Sequence, residues 1–180
     1  MRVEALKHLA NSAAALAPDS TIVVFGSASA FATYPELGIE CELYQQTKDA
    51  DFIFEPWELS LGKALNNAVG KESLFYDHFG YYADIISPAA FDNFPPDFRE
   101  RLVPLEGCPR VFALDPHDMA VAKLFAGRPK DIRLLVFLLK TNRLDEAKVR
   151  RLLWNTPMEE KWIVRTHQVL EEVVRQSAAE

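Results

Sequence analysis

The segment Thr47-Lys48-Asp49-Ala50-Asp51-Phe52-Ile53-Phe54 sets two acids, one residue apart, at the head of an apolar run. Side chains of a strand alternate between its faces, so Asp49 and Asp51 point one way while Ala50 and Phe52 point the other. Their Cα atoms then lie roughly 6.5–7 Å apart, close enough for both carboxylates to reach one cation or a pair of cations. Two acids buried side by side are costly without compensation. Magnesium supplies that compensation, and it binds through one or two carboxylates together with substrate phosphates. A full two-metal centre needs a third acid. Asp84 is the best placed, because it interrupts the otherwise apolar strand Tyr81-Tyr82-Ala83-Asp84-Ile85-Ile86. The bland alternative makes Asp49 a cap or turn residue and Asp84 an edge-strand charge.

The remaining pattern sets the fold class. Glu4 to Leu16 carries Leu6, Leu9, Ala13 and Leu16 at near-helical spacing. Thr21 to Phe25 is dense in β-branched and aromatic residues, as a buried central strand is. Ala28 to Tyr34 reads as a short helix, Leu43 to Thr47 as a lead-in to the strand Ala50–Phe54, and Trp57 to Val69 as a helix ended by Gly70. Lys71 to Gly80 reads as a hairpin arm or loop, Tyr81 to Ile86 as a third strand, and Arg101 to Leu105 and Arg110 to Leu114 as further strands. Helices follow from Pro116, Pro129 and near Leu144. Thr156-Pro157-Met158-Glu159 has the form of a capping box that opens a last helix. The order predicts an α/β (α+β) chain, a small mixed sheet flanked by helices with a helical C-terminal part. The domain expectation is 1–140 for the sheet-bearing domain and 141–180 for a helical extension packed on it.

Composition excludes several classes. The chain is 49% hydrophobic and 26% charged, ordinary for a globular protein. No apolar stretch approaches the length of a membrane span, so no membrane partner is expected. Cys41 and Cys108 are too few and too far apart for a disulfide framework or zinc cluster, which points to thiols in the cytoplasm. The net charge of −6 argues against nonspecific nucleic-acid binding. Residues 1–120 hold 18 acids and 8 bases, net −10, while residues 121–180 hold 8 acids and 12 bases, net +4. This asymmetry either matches metal ligands to phosphate-binding groups or is uneven surface decoration.

Two further segments suit phosphate. Phe25-Gly26-Ser27-Ala28 runs from strand into helix, where Gly26 permits close backbone approach and Ser27 adds a hydroxyl, with Ser29 a second candidate. An ordinary tight turn is the competing reading. Lys123-Leu124-Phe125-Ala126-Gly127-Arg128-Pro129-Lys130-Asp131 places three bases around a helix break. Lys123 and Lys130 can meet phosphates as point charges, Arg128 can clamp one bidentately, and Asp131 can hold Lys123 in place. As a bare cluster this is also a common surface pattern. The aromatic group Phe75, Tyr76, Phe79, Tyr81 and Tyr82 is either packing or a base-stacking surface. Neither His78 nor His117 has a Ser or Cys partner that would suggest a hydrolase triad.

These residues together resemble the nucleotidyltransferase-like proteins related to the AbiEii abortive-infection toxins, and more closely the DUF6036 group. The resemblance rests on Gly26-Ser27, Thr47-Lys48-Asp49-Ala50-Asp51, the strand around Asp84, Leu114-Asp115-Pro116-His117-Asp118, Lys123-Leu124 and Gly127 to Asp131, covering about residues 20–140. It implies a small mixed sheet, a Gly-Ser turn holding a nucleoside triphosphate, and Mg2+ on Asp49, Asp51 and Asp84. It also implies that Lys123 and Asp131 belong to the active-site region. The activity implied is metal-dependent nucleotidyl transfer to an RNA or protein acceptor, in some relatives as the toxin of a toxin–antitoxin pair. The chain departs from the fuller pattern in carrying Gly26-Ser27 where several relatives have Gly-Gly, and Thr47-Lys48 where they have an arginine just before the acidic pair. The alternatives are a catalytically inactive nucleotide-binding or regulatory protein-interaction module, and a purely structural domain.

Overall fold

The computed structural model describes residues 1–92 and 94–179. Helix α1 (Val3–Leu16) buries Leu6, Leu9, Ala10 and Ala13 along one stripe, the arrangement that helical periodicity produces. Strand β1 (Thr21–Phe25) follows, with Ile22, Val23 and Val24 fully buried. A 3-10 turn over Ser27–Ala32 and two short helices, α2 (Leu37–Glu40) and α3 (Glu42–Gln46), lead to β2 (Asp49–Glu55). Then come α4 (Leu59–Val69), α5 (Leu74–Phe79) and β3 (Tyr82–Ile85). Two further 3-10 turns, Pro88–Phe91 and Phe98–Arg101, precede β4 (Val103–Pro104) and β5 (Val111–Ala113). The chain ends in α6 (Pro116–Ala126), α7 (Pro129–Lys140), α8 (Glu146–Asn155) and α9 (Glu160–Ala178).

The strands form one mixed sheet in the order β3-β2-β1-β5-β4. β1 runs antiparallel to β2 and parallel to β5, β3 runs parallel to β2, and β4 pairs antiparallel with β5. The architecture is thus mixed α/β with a helical C-terminal region. Packing divides the chain into two compact units. One comprises residues 1–92 and 101–115 and holds the whole sheet with α1–α5; the other comprises residues 94–100 and 116–179 and holds α6–α9. In the first unit, α1 packs on β1 and α4, while α4 reaches β3. In the second, α6 packs against α7, α8 and α9, and α7 against α9. Among the described residues no helix is long and apolar enough to cross a membrane.

Three local expectations are corrected. The segment expected as a hairpin arm or loop contains α5: the Ser73 hydroxyl accepts the Tyr76 N–H at 3.2 Å, and Gly80 takes the left-handed conformation just beyond the last turn. A cap at each end outweighs the crowding of aromatic side chains in so short a helix. The lead-in to β2 is likewise helical, over Glu42–Gln46. Thr156 does not open α9. Its hydroxyl donates back to the Leu152 carbonyl at 2.8 Å, so it closes α8, and α9 begins at Glu160. The back-bond to the preceding turn competes with the forward capping bond for the same hydroxyl, and here it wins.

Tyr44, on α3, is buried against Phe31 with ring centroids 5.0 Å apart. Among the described residues its hydroxyl has no hydrogen-bond partner. Burial pushes its phenol well above the usual tyrosine range. A buried hydroxyl without a partner carries its desolvation cost unrelieved. Tyr44→Phe should therefore leave the melting temperature unchanged or raise it. A drop of several degrees would show that the hydroxyl is bonded after all.

Candidate functional site

β2 alternates as its sequence requires: Ala50, Phe52 and Phe54 are buried, while Asp49 and Asp51 are half-buried on the opposite face. β3 lies parallel beside it in a register that sets Asp84 next to Asp51. One carboxylate oxygen from each of Asp49, Asp51 and Asp84 lies within 4.8 Å of the others. The donors are all carboxylate oxygens, which suits a hard divalent cation such as magnesium and does not suit zinc or copper. Burial, followed by the charge of Asp49, raises the Asp84 pKa above its ordinary 3.8, and the Lys71 ammonium partly opposes the rise. Like charges in a cluster favour the protonated acid, and a bound cation reverses that preference.

Gly26 follows β1, which pairs with β2 so that Phe25 stands opposite Asp51. Its φ of +66° with ψ of −159° lies in a region essentially restricted to glycine. A Cβ at this position would lie 2.0 Å from Asp51 Oδ2. Both backbone conformation and space therefore demand glycine, and the turn is moulded around the second carboxylate. Ser27 is the first residue of the following 3-10 turn and is half-buried. Ser29 is fully buried and donates its hydroxyl to the Gly26 carbonyl at 2.7 Å. That bond fixes the turn and takes Ser29 out of consideration as a phosphate donor.

In the helical unit, Lys123 on α6 and Asp131 on α7 pair at 3.4 Å between Nζ and Oδ1. Arg128 grips the same carboxylate with two bonds, Nε to Oδ2 at 2.6 Å and a terminal guanidinium nitrogen to Oδ1 at 3.3 Å. Asp131 is almost completely buried. Lys123 is also buried, with 9% of its side chain exposed, so the pair is not the surface pattern that the bare charge cluster suggested. The helix break at Gly127, where φ is +59°, folds α7 back so that residues eight apart in sequence meet. Lys130 is exposed beside this cluster.

The aromatic segment divides in two. Phe75 and Phe79 of α5 gather with Tyr81 around His8, whose ring lies 5.3 and 4.6 Å from the two phenylalanines, and His8 Nδ1 is 2.7 Å from the Tyr81 hydroxyl. Tyr76 turns instead to Tyr82, edge to face at 5.1 Å. Strand alternation separates the groups, because Tyr81 and Tyr82 point to opposite faces. Burial and, after it, the nearby carboxylates of Asp49, Asp84 and Asp51 push the Tyr82 phenol upward. Tyr82 is thus a neighbour of the acidic cluster. The signal was available, since it precedes Asp84 by two residues and must share its face. His117 Nε2 accepts the Asp145 backbone N–H at 3.1 Å, next to the α8 start where Asp145 caps Lys148.

A mixed sheet carrying three acids on two adjacent strands, with a glycine turn pressed against the second acid, defines a chain of the nucleotidyltransferase type. The protein belongs to the family described as nucleotidyltransferase of unknown function (DUF6036), whose model matches residues 4–177. No curated protein and no solved structure matches it significantly.

The raised pKa of Asp84 means that the unfolded chain releases this proton first as pH rises, so metal-free stability falls from about pH 3.8 upward and stays reduced above the folded pKa. Asp84→Asn should therefore raise the metal-free melting temperature at neutral pH, while leaving it nearly unchanged at strongly acid pH. A melting curve that responds equally at both pH values would contradict this. Lys123→Ala should cost up to about 3 kcal/mol in denaturant unfolding, the lower end for a broken buried pair because Asp131 keeps Arg128.

Proposed function

We propose that the protein transfers a nucleotide from a nucleoside triphosphate to an acceptor hydroxyl of RNA or protein, with Mg2+ held by Asp49, Asp51 and Asp84. The observation that carries this reading is the convergence of the three carboxylates on one face of β2 and β3. Family membership supports the same chemistry. When bound, the metal neutralises phosphate charge and lowers the cost of forming the pentavalent arrangement.

The chain's own residues divide the remaining tasks. The Gly26–Ser27 turn offers backbone N–H groups and the Ser27 hydroxyl to the β- and γ-phosphates. Asp84 stands on the edge strand β3, where one carboxylate oxygen can hold the metal and leave the other to accept the proton of the attacking hydroxyl. The acceptor oxygen bonds to the α-phosphorus as the bond to the pyrophosphate oxygen breaks, and the electron pair leaves on pyrophosphate. Lys123, Arg128 and Lys130 are assigned to the triphosphate charge, with Asp131 orienting the first two. The residue types support this assignment, since a lysine and an arginine meet at one carboxylate there and Lys130 is exposed beside them. The cytoplasm and a toxin–antitoxin setting belong to the same reading.

A catalytically inactive nucleotide-binding or regulatory module is the second reading. Thr47-Lys48 before the acid pair favours it, because no arginine stands there to clamp a phosphate bidentately. Incubation with α-labelled nucleoside triphosphates, Mg2+ and total RNA or protein separates the two. We expect metal-dependent label in one acceptor class, reduced at least a hundredfold by Asp51→Asn. Saturable triphosphate binding without any transfer would leave only the inactive module.

A further inference from the structure

The centre of the β2/β3 pairing is a quadrilateral. Asp49 stands opposite Tyr82, and Asp51 stands opposite Asp84. Ala50 and Ala83, between them, face each other on the buried side. Three corners of the other face are the clustered acids, and the fourth is Tyr82. Neighbouring strands lie about 4.8 Å apart and alternate residues roughly 6.5–7 Å apart, so all four side chains rise from one small patch. A phenol reaches well beyond a carboxylate, and Tyr82 therefore stands above the acids as a wall on the β3 side. The wall is braced: Tyr76 meets the Tyr82 ring at an interplanar angle of 79°, a favourable edge-to-face contact. Both rings are only half-buried. The other aromatics of the segment are engaged around His8, so this pair is distinct from that packing group.

The sheet order gives the wall a side. Within β3-β2-β1, the Gly26–Ser27 turn continues the end of β1 and Tyr82 lies on β3, with Asp49 and Asp51 on β2 between them. In the transfer reading above, on which this inference rests, the turn holds the departing pyrophosphate. Displacement at phosphorus places attacking and leaving oxygens roughly in line. With pyrophosphate on the β1 side, the acceptor arrives from the β3 side, across Tyr82.

We propose that Tyr82, braced by Tyr76, is an acceptor-positioning residue on which the terminal base of a single-stranded nucleic acid stacks, setting the adjoining ribose hydroxyl over the metal site. Stacking on an aromatic face is available to every base and needs no sequence-specific contact. Lys71 is exposed, and its charge reaches Asp84, which supplies a cation on the same side for a strand phosphate. An aromatic wall with a neighbouring cation fits a nucleotide end better than an aliphatic serine or threonine of a protein acceptor. The acidic character of residues 1–120 limits the contact to the strand's end, since a long phosphate backbone would be repelled.

The test uses the full chain with Mg2+, an α-labelled nucleoside triphosphate and short single-stranded oligoribonucleotides with randomised 3′ ends. Tyr82→Ala should raise the KM for the oligonucleotides about tenfold or more, the loss typical of one stacked base, with the triphosphate Kd unchanged. Tyr82→Phe should recover most of that loss, because the ring rather than the hydroxyl does the work. Tyr82→Leu preserves bulk against Tyr76 and should behave like Tyr82→Ala if both melt as the wild type does. An unchanged oligonucleotide KM in both truncated variants would overturn the proposal, as would a Tyr82→Phe variant as impaired as Tyr82→Ala. An equal loss of triphosphate affinity would move the wall to the donor side and overturn it too. Label found only in protein would do the same while sparing the transfer reading. No metal-dependent transfer from the wild type to any acceptor would sink both.

Discussion

The repulsion among three carboxylates on one face of β2 and β3 is the constraint around which the sheet-bearing unit is organised. Acids so close are tolerated only where the strands beneath them are held by something else. The other face of the same residues supplies that hold: Ala50, Phe52 and Phe54 of β2 and Ala83 of β3 are buried. β2 lies between β1 and β3 rather than at an edge, so its backbone is paired on both sides. The apolar face fixes the register, and the register fixes the acids. A slip of one residue would send Asp49 and Asp51 into the core and Phe52 to the surface. Specificity of fold and placement of the site are therefore one property of this strand.

Gly26 shows how closely the neighbouring turn is fitted to that site. Its backbone lies where any side chain would collide with the Asp51 carboxylate, and the buried Ser29 hydroxyl bonds the Gly26 carbonyl from the other side. A turn whose only task was to reverse direction would not need to press on an acid. The cluster of Lys123, Arg128 and Asp131 is built on the opposite principle. Its charges are compensated within hydrogen-bond distance, and its acid is almost completely buried. Such a triad joins two helices whatever else it does. A stability change on its disruption is therefore no evidence of a ligand role unless triphosphate binding changes by more.

Much of this was legible in the residues. Period-two alternation placed Asp49 and Asp51 on one face, the run Thr21–Phe25 marked the central strand, and Pro129 marked the start of α7 at its observed residue. What alternation cannot supply is which strand lies beside which. The pairing of Asp51 with Asp84 depends on β3 returning parallel to β2 after two helices, a tertiary fact with no local signature. The reading of Lys71–Gly80 as a loop failed for a different reason. Ser73 and Gly80 are sound helix boundary signals, but six residues between them are too few to show a period. Thr156 failed through ambiguity, because one hydroxyl can bond forward to a new helix or back to the old one. The burial of Lys123 was hidden because a lysine's default is exposure, and only the fold-back at Gly127 brings Asp131 to it.

The fourth corner of the acidic patch extends the same reasoning. Once Asp49, Asp51 and Asp84 are assigned to one face, the identity of the residue opposite Asp49 is no longer free. A small residue there would leave the β3 side of the acids open to water. A further acid would add a fourth like charge without a fourth task. A lysine would pair with Asp49 and compete with the cation. Tyrosine avoids all three: it is uncharged at neutral pH, it excludes water over the breadth of a ring, and it presents a flat apolar face. Its brace comes from α5, the element whose formation depends on the Ser73 and Gly80 caps rather than on burial of its own, since none of its residues is fully buried. The Tyr82 ring is thus set at its base by the sheet register and at its side by Tyr76.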